Sequence, residues 1–167
     1  ATLGPDDPLG RTPELTVSDT RPNAACCYCP VVSLHSGRPE SAPLEECYHA
    51  FLGATEAEAP DLYRLASPLH RITGAEPPFL FLHGDKDTDV PLAQSTLMAE
   101  RLREVGVPVE LVVLPGVELG FGYGVETEAQ RRAVAEVVRF ARQRLEAVSK
   151  PRHEERVARR CVSEGLV

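Results

Sequence analysis

The chain has 167 residues, 43% of them hydrophobic, and a formal charge of −7, the size and apolar content of one globular domain able to bury a core. The acidic balance excludes a general attraction to nucleic acid or to anionic membrane surfaces. No apolar run approaches the roughly 20 residues of a membrane span, and the first residues, ATLGPDDP, have neither the basic segment nor the apolar core of a signal peptide, so a soluble protein is expected.

Residues 1–22 are rich in Pro, Asp, Gly and Thr without a sustained period, and read as loop. Ala24, Ala25, Cys26, Cys27 and Tyr28 then form an apolar run that predicts a strand ending near Cys29, ahead of Pro30. The chain has five cysteines, an odd count that argues against a complete disulfide framework and favours a reducing compartment such as the cytoplasm. Cys26 and Cys29 stand at C-x2-C spacing, but no second such pair completes a four-ligand zinc site, and a metal-binding module resting on CCYC and His49 is the least favoured reading. Cys26, Cys27 and Cys29 are expected to pack as small apolar residues in a buried strand, with no metal and no cofactor. Residues 37–43 are turn-forming, and Leu44–Leu52 predicts a short helix with Tyr48, Phe51 and Leu52 on one side. A helical turn follows over residues 60–69, broken at Pro68.

Phe79, Leu80, Phe81 and Leu82 form a continuous apolar segment between Pro78 and Gly84, the pattern of a strand buried on both faces of a parallel sheet. It hands over to three acids, Asp85, Asp87 and Asp89, just beyond the carboxyl end of the strand, where open α/β sheets carry their chemistry. Pro91 suits the first residue of a helix, with Leu92, Leu97, Leu102 and Val105 as its apolar stripe and Gly106 as its stop. Residues 108–114, PVELVVL, predict a second buried strand ending at Pro115-Gly116. A long amphipathic helix is expected over Thr127–Val148, with Val134, Val137, Phe140, Ala141, Leu145 and Val148 on its apolar face. Strand, helix, strand, helix is the order of an α/β fold in which helices cover a parallel sheet. The basic residues 149–167 are expected to form an exposed tail outside a domain spanning 1–148.

The order SPLHRI, PPFLFLHGDKDTDVP, helix, GVPVELVVLPG, GFG and long helix resembles the C-terminal half of an α/β-hydrolase domain over residues 24–148. The similarity is to esterase/lipase and prolyl-oligopeptidase-like serine hydrolases. That resemblance implies a hydrolase of carboxylic esters or peptide-like bonds and puts Asp87 in the position of the acid of a Ser-His-Asp triad. There a carboxylate orients a histidine and stabilises its imidazolium. Asp85 and Asp89 are expected to be loop acids that accept backbone N–H bonds or cap the following helix.

The same resemblance makes the other triad members conspicuous by their replacement. The run LPGVELGFG holds Leu119 where the family carries its histidine, and a leucine cannot transfer a proton. Glu118 is adjacent, but neighbouring side chains diverge. No G-x-S-x-G elbow or HGGG-type oxyanion loop occurs; Ser36, in LHSG, lacks the first glycine and reads as a loop serine. Both absences are accounted for if the first residues follow the nucleophile helix and the N-terminal half lies elsewhere. His83 is expected to tie down the loop that presents Asp87, and His70 to act as a loop hydrogen-bonder. His35, His49 and His153 have no metal-ligand spacing, and either His35 or His70 could approach Asp87 in space. Two functions follow: an ester or peptide-bond hydrolase portion that retains the acid, or a non-catalytic relative that binds a small molecule or a protein. Half of a doubly wound sheet also leaves strand edges open, so self-association or a complex with another chain is expected.

Overall fold

The structure is a computed structural model that describes residues 22–35 and 44–163, with side chains through residue 146. Its centre is a three-stranded parallel sheet in the order β1–β2–β3, comprising β1 (Ala25–Tyr28), β2 (Phe79–Gly84) and β3 (Val109–Leu114). β2 is buried along its whole length because its neighbours take both edges and helices take both faces. Successive side chains alternate between those faces. Phe79 and Phe81 pack with Met98, Ala99, Leu102 and Val107, whereas Leu80 and Leu82 pack with Leu114, Phe121, Ala133 and Phe140. Each of these four β2 side chains contributes about 2 kcal/mol of burial free energy, so the apolar run PFLFL is the keel of the domain.

The first face is covered by α3 (Ala93–Glu104) and the second by α4 (Glu128–Ser163). α3 stops at Gly106, whose φ of 80° suits only a residue without Cβ strain. The Gly106 N–H bonds to the Arg103 carbonyl at 3.0 Å and the Val107 N–H to the Leu102 carbonyl at 2.9 Å, which satisfies the helix end as a Schellman motif and turns the chain into β3. Between β1 and β2 lie α1 (Glu45–Leu52), α2 (Pro60–Ala66) and a 3-10 turn at Pro68–Arg71. Tyr48 and Tyr63 of these helices close a satellite core on Leu34.

Several expectations are corrected by this packing. β1 alternates between half-buried and exposed residues instead of being a buried strand, because among the described residues it pairs on one side only; Cys26 is exposed, Cys27 half-buried, and Cys29, just past the strand, buried. β3 is half-buried except at Leu114, for the same reason of edge position. Phe51 is 80% exposed, so α1 buries Tyr48 without it. α3 buries the polar Gln94 and Ser95 beside Met98, Ala99 and Leu102, while Leu92 and Leu97 are only half-buried. α4 buries Ala133 and Phe140, leaves Val134 and Leu145 exposed, and continues beyond Val148 to Ser163. In that extension Pro151 is followed by a run of Glu, Arg, Val and Ala with no further proline or glycine before Ser163, and most of these residues have good helix propensity. Ser36 and the first residues of the chain lie outside the described residues.

Candidate active site at the end of the central strand

The parallel register decides what meets at the carboxyl end of the sheet. Tyr28 pairs with Leu82, so the next residues, Cys29 and His83, come together as the strands end, and the Cys29 N–H bonds to the Leu82 carbonyl at 3.0 Å. His83 is fully buried and both ring nitrogens are used: Nδ1 lies 2.7 Å from the Ser95 hydroxyl and Nε2 lies 2.8 Å from the Val90 carbonyl. A carbonyl can only accept, so Nε2 carries the proton and Nδ1 accepts from Ser95. His83 therefore ties β2, the acid loop and α3 together, as its place beside Gly84 suggested.

The acid loop is built by its own backbone. Asp87 Oδ1 accepts the N–H groups of Asp89 at 3.1 Å and Val90 at 2.8 Å, an Asx-type turn that fixes the carboxylate in one orientation. Asp87 Oδ2 is buried, has no hydrogen-bond partner among the described residues, and lies 3.5 Å from His83 Nε2. Asp85 accepts the Gly116 N–H at 2.6 Å, which makes it the loop acid expected of it. Asp89 differs: its side chain borders a cavity of about 390 Å³ that is also lined by Tyr28, Cys29, Leu119, Phe121 and Tyr123. The loop after β3 reaches this cavity because Asp85 N–H bonds to the Leu114 carbonyl and Lys86 N–H to the Val117 carbonyl, at 3.1 and 2.9 Å. Leu119 is 45% exposed on that loop, and Glu118 points to solvent beside it.

Cys29 joins the two parts of the site, since it lines the cavity and its sulfur lies within 4.8 Å of ligand atoms of His83 and Asp87. Burial, with the Asp87 carboxylate adding to it, pushes its thiol up to about 12, so it is protonated and unreactive at neutral pH. Its φ of 42° is positive, unlike that of any other described non-glycine residue. Sequence patterning assigned Cys29 to packing alone; the signal that would have found it is the strand register, not the CCYC spacing.

The other histidines assemble elsewhere. His35 Nδ1 contacts Glu56, and His35 Nε2 faces His70 Nε2 at 2.5 Å, with the two rings nearly perpendicular. Only one proton fits between those nitrogens, so one ring donates and the other accepts. The imidazole in contact with Asp87 is that of His83. His49 lies exposed on α1, and the side chain of His153 is outside the described residues.

Comparison with known proteins identifies the architecture. The profile of the prolyl oligopeptidase family matches residues 20–147. The chain belongs to the prolyl oligopeptidase family. Among similar proteins of Mycobacterium tuberculosis, esterase LipQ is 31% identical over 140 residues, 83% of this chain and 32% of that protein. Esterase LipC is 39% identical over 79 residues, 46% of this chain and 20% of that protein. The chain thus matches a fifth to a third of the length of these curated relatives. The structure of esterase 2 from Thermogutta terrifontis with butyrate bound superposes with a TM-score of 0.64 and 26% identity, over 85% of this chain and 50% of that one. Three parallel strands with covering helices are accordingly part of the α/β-hydrolase fold of this family. No described helix is long and apolar enough to cross a membrane.

Proposed function

We propose that this chain is the acid-bearing portion of a carboxylic-ester hydrolase site, with Asp87 as the acid and with Leu119 standing where the base would be. The observation that carries the reading is the state of Asp87: one oxygen is fixed by two backbone N–H groups and the other is buried without a hydrogen-bond partner among the described residues, while Leu119 lines a cavity that the neighbouring Cys29 and Asp89 also border. A triad acid needs such an oxygen to accept the N–H of the catalytic imidazole. The family's name suggests a peptide bond, but two esterases among the relatives and the esterase fold neighbour favour an ester. The aromatic and leucine lining of the cavity suits a short acyl group, such as the butyrate seen in the Thermogutta enzyme.

Without a base, the chain itself should hydrolyse p-nitrophenyl butyrate no faster than Asp87→Ala does; a rate in the unmodified chain that the substitution abolishes would overturn the assignment of Leu119. The acid position is tested separately by NMR titration of Leu119→His. The introduced imidazole should titrate about one unit or more higher than in Leu119→His/Asp87→Asn, since an adjacent carboxylate stabilises the imidazolium. Identical titrations would remove Asp87 from the acid role.

A non-catalytic binding role is the second reading, favoured by the exposed Leu119 and by Tyr123, 85% exposed, at the same cavity. Butyrate should then shift the amide resonances of residues 119–123 in the unmodified chain, and unchanged spectra at saturating butyrate would count against it. The same partial-domain reading expects association of the chain with a second copy, because β1 pairs only with β2 among the described residues. A compact monomer in sedimentation velocity would contradict that.

A further inference from the structure

We propose that the cavity at the carboxyl end of the sheet binds a quaternary ammonium group, which makes esters carrying such a cation, choline esters among them, the substrate class of the ester site. The ester half of this inference rests on the hydrolase reading above, and the cation half does not. Three aromatic residues, Tyr28, Phe121 and Tyr123, line this cavity of about 390 Å³, and Asp89 is the one charged residue in the lining. The negative face of an aromatic ring attracts a cation held within about 6 Å of its centroid. The Tyr28 and Phe121 rings have centroids 5.6 Å apart and are inclined by 47°, so a single cation can lie within that reach of both. Tyr28 is set in place before any ligand arrives, because its ring rests against Gly122, where a Cβ would come 3.0 Å from Tyr28 Cδ1. The volume is that of a small-molecule site and leaves room for an acyl group and a cation together.

The second and independent observation is the Asp89 carboxylate. Its neighbours in the acid loop are both engaged, Asp85 by the Gly116 N–H and Asp87 by the N–H groups of Asp89 and Val90. Asp89 contributes its own N–H to that turn, but its carboxylate has no hydrogen-bond or ion-pair partner among the described residues, so loop architecture does not account for it. No Lys, Arg or His borders the cavity to answer its charge. The formal charge of −7 adds a field that draws cations toward the chain. The lining also selects among cations. A primary ammonium carries three N–H donors that each need an acceptor, whereas a trimethylammonium spreads its charge over methyl groups and needs none. Leu119 and the aromatic rings beside a single carboxylate suit the second. A hard metal dication would demand several oxygen ligands, which this lining does not offer.

The experiment titrates the full chain at low ionic strength with choline and with its neutral carbon isostere, 3,3-dimethylbutan-1-ol, followed by amide NMR shifts. Choline should shift the amides of residues 28 and 119–123 saturably and bind about tenfold more tightly than the isostere. Asp89→Asn should weaken choline binding about threefold to fivefold and leave the isostere unchanged. Tyr123→Leu should weaken choline about threefold. Both side chains are exposed, so neither substitution threatens the fold. Ethanolamine, the primary-amine counterpart of choline, should bind more weakly than choline. Equal affinity for choline and the isostere, unchanged choline affinity in Asp89→Asn, tighter binding of ethanolamine, or no saturable shift in these residues would overturn the proposal. These readouts need neither hydrolysis nor Asp87. Asp89-dependent choline binding therefore stands if the Leu119→His titration removes Asp87 from the acid role, and that titration can support Asp87 while choline and the isostere bind alike.

Discussion

Replacing Gly84 by alanine tests how the acid loop and the loop carrying Leu119 are held together. A Cβ at Gly84 would lie 2.1 Å from the Val117 carbonyl oxygen and 2.7 Å from its carbon, with the Glu118 oxygen at 3.2 Å. The obstructing atoms are backbone, so no rotamer change relieves the contact; the loop after β3 must move. Movement breaks the bond from Lys86 N–H to the Val117 carbonyl and strains that from Asp85 N–H to the Leu114 carbonyl. Overpacking of this kind costs about 1–3 kcal/mol, and one lost backbone bond adds about 1 kcal/mol. Gly84→Ala should therefore lower the unfolding free energy by about 2–4 kcal/mol in urea denaturation at an unchanged m-value. Hydrogen exchange should locate the damage at the Lys86 amide, which loses protection while the amides of Phe81 and Leu82 retain theirs until global unfolding. A loss below about 1 kcal/mol with full protection at Lys86 would mean that close backbone approach is not the reason for glycine here.

Gln94 gives a second prediction. Its side-chain oxygen accepts the Val32 and Ser33 N–H groups and its amide donates to the Ser33 carbonyl, all within a fully buried site, so Gln94→Ala should cost about 3 kcal/mol, and a near-neutral urea midpoint would refute the assignment. Glu76 gives a pH dependence. Burial works to raise its carboxyl, but the N–H groups of Thr73 and Gly74 and the Thr73 hydroxyl together hold it below its ordinary 4.5. The folded value is thus the lower one, the unfolded chain binds the proton first, and the stabilisation is complete above the unfolded value and lost as pH falls through the folded one. The stability gap between the unmodified chain and Glu76→Gln should be constant above about pH 5 and shrink on acidification below 4.5; a gap unchanged down to pH 3 would contradict it. Asp85→Ala removes only the exposed bond to Gly116 and should cost under about 1 kcal/mol, so a larger loss would assign Asp85 a role beyond the loop.

What could be read from the sequence was what local chemistry determines. The run PFLFL between proline and glycine, the glycine stop at 106 and the alternation of strand and helix are set by neighbours in the chain, and they appear as β2, α3, β3 and the start of α4. The differences among the three acids were also partly local, because Asp85 bonds to the turn that Pro115-Gly116 announces. What stayed hidden depends on contacts far apart in sequence. Polar residues inside a helix read as solvent-facing, yet Gln94 serves backbone groups of the segment after β1, and Ser95 serves His83. The cysteines read as strand packing because the edge position of β1 is a property of the sheet, not of the strand.

The same distinction explains the site. Cys29, His83 and Asp87 meet because two parallel strands end level with one another and the turn after the second folds the carboxylate back toward the imidazole, bringing together residues that no spacing rule connects. Within that cluster one atom, Asp87 Oδ2, has no hydrogen-bond partner. On the proposed reading, a triad imidazole would use it as its acid. A leucine side chain at 119 cannot itself supply that imidazole.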